Sequence, residues 1–145
     1  MSPDPLPPAL PTMRALHTPL AGGLAAISVV FLLLTFGLHT APLLPAGPST
    51  TILAYLFAGI GLAALAAGLF VFKSRVPRPH PGLSLDDYWA GEARGHVLLF
   101  WVVILGGGVN GAVGFLLTGS LIPALATVGS LIVLLTHGAG YFEDA

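Results

Sequence analysis

The chain has 145 residues, of which 55% are hydrophobic and 8% charged, against roughly a quarter charged in an average soluble protein. So few charges cannot coat a water-exposed globule, so the composition excludes an ordinary soluble enzyme and names lipid as the solvent. A net charge of −1 with five Lys and Arg leaves no basic stripe for a phosphate backbone, which excludes nucleic-acid binding, and the lack of cysteine excludes disulfides, thiolate metal sites, cysteine nucleophiles and covalent c-type haem.

The charges occupy three short zones: Asp4 and Arg14; Lys73, Arg75, Arg78, Asp86, Asp87, Glu92 and Arg94; Glu143 and Asp144. From Ala15 to Phe72 no residue carries a formal charge. One helix over that run would be roughly 87 Å long at about 1.5 Å per residue, against a hydrocarbon core of about 30 Å, so the chain must turn back.

In chain order, residues 1–18 form a proline-rich tail, expected to be extended or disordered on the cytoplasmic side. A first span follows over about residues 19–38; it reads as an uncleaved helix, because a cut after Ala41 would put Pro42 beside the scissile bond. Pro42, Pro45, Gly47 and Pro48 break the chain, and Ser49 or Thr50 is placed to cap a second span over about residues 51–72. Residues 73–95 form a polar loop. Its basic strip, Lys73 to Pro81, is too rich in proline to be helical beyond its start. Ser84 and Asp87 then have capping-box spacing and predict a short helix from Leu85. Tyr88 and Trp89 on that helix suit the headgroup belt, and Arg75 and Arg78 snorkel to the same depth, which makes all four interface anchors. A docking surface for a partner or an anionic lipid is the functional reading of this loop. The plainer reading is a depth-setting anchor. A third span covers about residues 96–117, a turn falls at Thr118 to Pro123, and a fourth, short span covers about 121–136, leaving residues 138–145 as a short cytoplasmic tail.

The uncharged runs lack strand alternation, and a transmembrane barrel would need many more segments. The expected class is therefore all-α: a polytopic membrane protein whose domain, residues 19–137, is a four-transmembrane-helix bundle built from two helical hairpins. All five basic residues fall on one side of this topology, so the positive-inside rule puts both termini and the 73–95 loop in the cytoplasm, in the cell (inner) membrane.

The predicted spans contain no Asp, Glu, Lys or Arg, which removes the proton-carrying side chain that a rotor hairpin or a proton-coupled antiporter needs. The polar residues left inside are Asn110, Ser28, Thr35, Thr127 and Ser130. Asn110 lies within Gly106 to Gly111, where Gly107, Gly111 and Gly114 form a small-residue surface; Gly59, Ala63 and Ala67 offer a matching one on the second span. Close packing of spans two and three is the expected use. Helix unwinding that exposes carbonyls to a substrate, with Asn110 as the polar site, is the alternative. Of the histidines, His17, His80, His96 and His137 fall on the cytoplasmic side and His39 on the outer side. His96 and His137 share one membrane face and are the candidate haem or metal ligands, although interfacial histidines bonded to water are the plainer reading.

Asp87-Tyr88-Trp89, the run His96 to Trp101, the run Gly114 to Gly119, and Arg14 to His17 before the first span together resemble small uncharacterised bacterial four-helix membrane proteins. The resemblance covers most of the chain and implies the four-helix fold, with no assigned activity. In such proteins a glutamate often follows the tryptophan by a few residues; here that place, near Leu105, is apolar.

The expected function is a non-catalytic structural or accessory subunit, packed in the lipid bilayer against copies of itself or other membrane subunits and needing no cofactor. The alternatives are a small oligomeric transporter or channel and a haem- or quinone-associated anchor. An enzyme is not expected, since no general-base pair, metal cluster or nucleophile elbow is visible.

Overall fold

The computed structural model describes residues 9–34 and 42–144, all helix, turn and loop. The polar candidates Thr35 and His39, the end of the expected first span and the first eight residues of the expected tail lie outside the described residues. The helices are α1 (Ala9–Leu32), α2 (Pro48–Ala67), α3 (Leu85–Ala90), α4 (Glu92–Thr118), α5 (Leu121–Thr136) and α6 (Ala139–Glu143). A π-helical turn, Gly68–Phe72, and a 3₁₀ turn, Lys73–Arg75, extend α2. Three segments, Met13–Leu32, Pro48–Arg75 and Glu92–Thr118, are long and apolar enough to cross a membrane; Leu121–Thr136 is apolar but shorter.

Several boundaries differ from the sequence expectation for local reasons. Residues 9–18, expected in the tail, are helical because Met13 is fully buried in the core and the first turn tolerates the missing donor of Pro11. Neither Ser49 nor Thr50 caps α2. Gly47 takes the cap position with extended backbone and Pro48 follows as a first-turn proline, while Thr50 Oγ1 donates to Pro45 O at 2.6 Å and Thr51 Oγ1 to Gly47 O at 3.2 Å, tying down the turn. α3 begins as expected: Ser84 Oγ accepts from Asp87 N at 3.1 Å. The reciprocal bond runs from the Ser84 hydroxyl to Asp87 Oδ2 at 2.6 Å, because an Asp is too short to reach back to the Ser84 amide. At the far end α4 stops at Gly119, whose φ of 65° is left-handed and whose amide donates to Phe115 O at 2.8 Å. Pro42 occupies the place a side chain on Gly119 would take, and Leu44 N donates to Leu117 O at 3.0 Å, so the two turns at this end are joined.

α4 is the central helix and packs against α1, α2 and α5. Its glycines allow this, and they do not form one seam. A methyl carbon built on Gly107 would lie 2.9 Å from Gly61 O and 3.1 Å from Ala64 Cβ, so Gly107 meets α2. Gly114, two turns later, meets Phe57 of α2 and Pro123 of α5. Gly111 faces α5: a methyl there would lie 2.5 Å from Pro123 O and 2.8 Å from Thr127 Oγ1. Gly108 faces Leu24 of α1 and Ser130 of α5.

On α2 the expected stripe is one step out of phase. Gly59 and Ala63 are exposed, and a methyl on Gly59 would touch nothing within 4 Å, while Ala67 is half-buried. The face against α4 and α5 instead runs through Ala54, Ala58, Gly61, Leu65 and Gly68, stepping by four and three residues as a helix face does. α2 is apolar all round, so hydropathy could not choose between the two stripes. Gly61 sits where three helices meet, 2.7 Å from Ala126 Cβ and 3.0 Å from Gly107 O by the same construction. Gly68 gives its space to the side chain of Ile104.

These contacts set opposite expectations for two glycines. Gly111→Ala presses a methyl onto fixed backbone and should cost about 1–3 kcal/mol of unfolding free energy in mild detergent. Gly59→Ala should be neutral or add up to about 1 kcal/mol through helix propensity. Equal losses in the two variants would contradict this placement.

Candidate functional site

Between the two ends of the bundle, polar side chains bond to neighbouring backbone. Asn110 Nδ2 donates to Phe57 O on α2 at 2.7 Å, Thr127 Oγ1 to Gly108 O at 2.8 Å, and Ser28 Oγ to Leu24 O at 2.7 Å. The first two bonds exist only because glycines bring the backbones together. Ser130 Oγ is buried against Gly108 and finds no acceptor. A recess of about 250 Å³ between α1, α4 and α5, lined by Ser28, Phe31, Phe115, Leu121 and Thr127 among others, is almost wholly apolar, since both hydroxyls on its wall bond to backbone.

The chemistry collects at the other end, where Arg14, the 73–95 loop and residues 137–144 meet. His137 caps α5, and its carbonyl accepts from Trp101 Nε1 at 2.8 Å. Its ring lies between Tyr141 and Phe100, with centroids 4.3 Å and 5.8 Å away. Nδ1 is 3.2 Å from Val133 O and 2.9 Å from Thr136 Oγ1, and Nε2 is 3.1 Å from Lys73 Nζ. An ammonium only donates and a carbonyl only accepts, so the fitting tautomer carries its proton on Nδ1 and accepts from Lys73 at Nε2. Burial, and after it the charge of Lys73, hold the His137 pKa below its ordinary value, against a smaller opposing effect of the Val133 carbonyl. Lys73 Nζ also lies 4.8 Å from the Tyr141 ring centroid.

Around this pair the end is closed by contacts from every helix present. His17 Nε2 donates to Leu134 O at 2.7 Å and its ring lies 4.8 Å from that of Trp101. Arg14 pairs with Glu143 at 3.1 Å, the single ion pair among the described residues; because the arginine is largely exposed, it adds little stability. α6, expected only as a tail, is held by Phe142, which is buried edge-on against Phe100.

The loop anchors divide. Tyr88 and Trp89 are buried in the core with Met13 and Val97, because α3 folds back over α1 and α4. Tyr88 donates its hydroxyl to Pro77 O at 2.8 Å; burial, then the charge of Glu143, raise its pKa. Trp89 Nε1 is buried without an acceptor. Arg75 and Arg78 are exposed, with the Arg75 guanidinium 6.0 Å from the Phe72 ring centroid.

The two candidate ligand histidines each bond elsewhere. His96 Nδ1 donates to Glu92 O at 2.9 Å on a shallow surface cleft with Gly95 and Leu99, while both nitrogens of His137 have partners of their own. Among the described residues no group of three or more His, Asp or Glu could hold a metal ion. Sequence reasoning missed Lys73, Tyr141 and Glu143. The one local signal was an aromatic pair, Tyr141-Phe142, in a segment otherwise short and polar.

A histidine whose folded pKa is lowered binds its proton more readily when unfolded, so the folded state loses stability as pH falls through the ordinary value of 6.5 toward the folded one. The melting temperature in detergent should therefore fall between about pH 7.5 and about pH 5.5, and the fall should be shallower in His137→Asn. An unchanged pH slope in that variant would assign the effect to other histidines. Comparison with protein-family models, with curated proteins and with solved structures finds no match to this chain.

Proposed function

We propose that the chain is a four-span protein of the cell membrane, with both termini and the 73–95 loop in the cytoplasm, that serves as a non-catalytic structural or accessory subunit. The observation that carries this reading is where its polar atoms and glycines go. Asn110, Thr127 and Ser28 are bonded to the chain's own backbone, and Gly107, Gly108, Gly111 and Gly114 are filled by neighbouring helices, so these groups are occupied within the chain rather than turned toward a solute. The outer face of α2, by contrast, exposes Ile52, Tyr55, Leu56 and Ile60 around the exposed Gly59 and Ala63, a surface suited to lipid or to a partner helix.

α5 is the shortest of the four proposed spans, at 16 residues or about 24 Å. A chain without cysteine makes its crossing easy to test. With single cysteines at Ser49 and Asp144, an impermeant thiol reagent added to intact cells should label Ser49→Cys and spare Asp144→Cys. Labelling of Asp144→Cys would mean three spans and a carboxyl terminus outside. Native mass measurement after mild extraction tests the role: a defined assembly, homomeric or mixed, is expected. A monomer at every detergent concentration would count against a subunit, and a homo-oligomer carrying a demonstrable solute flux would replace this reading with a channel.

A further inference from the structure

We propose that the cleft between the end of α2 and α6 binds the phosphate headgroup of an anionic phospholipid, with Lys73 and Arg78 as its cationic ligands. The inference rests on the membrane placement above and adds a site to it. The cleft has a volume of about 380 Å³ and is lined by Lys73, Ser74, Arg78 and Tyr141 on its polar side and by Leu69 and Phe142, among others, on its apolar side. Among the described residues no carboxylate lines it.

Lys73 is held in place by neutral groups. His137 Nε2 accepts one of its protons, and the Tyr141 ring faces it. Neither partner cancels its charge, so two donors and a full positive charge remain for an anion. Arg78 reaches the same space from the loop, and its planar fork suits phosphate oxygens; it also borders a second cleft lined by Asp87 and Glu92, which Lys73 does not line. A phosphodiester carries one negative charge and has oxygens to share between an ammonium and a guanidinium.

The position selects a lipid over a free ion. Lys73 opens the last turn of the apolar segment Pro48–Arg75, the depth at which headgroups lie. The π-helical turn just before it, Gly68–Phe72, carries Phe70, which is 78% exposed, and Val71, also exposed. Acyl chains can therefore lie along α2 while the phosphate enters beside Lys73. A π turn of this kind re-aims the residues that follow it and is frequent at functional sites.

The test uses the full chain, purified in mild detergent, with phosphatidylglycerol, phosphatidylcholine or inorganic phosphate added and retained lipid read by native mass spectrometry. Phosphatidylglycerol should be retained over phosphatidylcholine, less so at high salt, and its retention should fall about tenfold or more in Lys73→Met and in the surface variant Arg78→Gln. Equal retention of the two lipids, or unchanged retention in both variants, overturns the proposal. Displacement of the lipid by inorganic phosphate at comparable concentration overturns the lipid assignment in favour of a free-anion site. Thermal melting is read beside each variant, and Arg78→Gln, on an exposed residue, keeps the test open if Lys73→Met unfolds. Labelling of a Ser84→Cys variant on intact cells separates the two failures: if Ser84 is reached from outside, the orientation falls; if it is protected and no lipid is retained, only the site falls.

Discussion

The close approach of other helices to the backbone of α4 is the constraint on which the rest depends. In lipid, apolar side chains gain little by leaving the solvent, so helices associate where their surfaces fit closely and where backbone polar atoms come within reach. Gly107, Gly108, Gly111 and Gly114 are each filled from a neighbouring helix: Gly107 by Gly61 and Ala64 of α2, Gly114 by Phe57 of α2 and Pro123 of α5, Gly111 by Pro123 and Thr127 of α5, and Gly108 by Leu24 of α1 and Ser130 of α5. One helix thereby holds three. The Asn110 bond to Phe57 O and the Thr127 bond to Gly108 O follow from that closeness, since neither side chain could reach across a seam spaced by leucines.

The polar end follows from the same arrangement. With α1 and α5 fixed against α4, the ends of three helices fall together, and Trp101 can donate to the carbonyl of His137 while its ring meets His17. The chain then folds short helices over this end. α3 brings Tyr88 and Trp89 down onto Met13, and α6 brings Phe142 onto Phe100. What stays at the surface is chemically selective. Lys73 and Arg78 line a cleft with no carboxylate on its wall among the described residues, whereas Arg14 finds Glu143.

The helices were legible in the sequence because long uncharged runs and clustered prolines leave few other readings. The Ser84–Asp87 start and the Leu121–Thr136 helix were legible for the same local reasons. Rotation about each helix axis was not. The exposed Gly59 and the buried Gly61 stand two residues apart in a helix without a polar face, and only the shape of α4 and α5 decides which turns inward. The burial of Tyr88 and Trp89 was not legible either: it depends on α1 beginning early enough to bring Met13 beneath them, which no local pattern in the 73–95 loop shows. The Lys73–His137–Tyr141 cluster joins three separate segments and leaves no local pattern.

Disulfide trapping in native membranes tests the central claim most directly, since the chain has no cysteine of its own. Ala64 and Gly107 face each other across the α2–α4 seam, with Ala64 Cβ 3.1 Å from a methyl built on Gly107, whereas Ala63 and Gly106 are both exposed. Cysteines at 64 and 107 should crosslink within the chain under mild oxidation, and cysteines at 63 and 106 should not. Crosslinking of the 63 and 106 pair in preference to the 64 and 107 pair would contradict the packing of α4 described above and the closed, non-polar interior that depends on it.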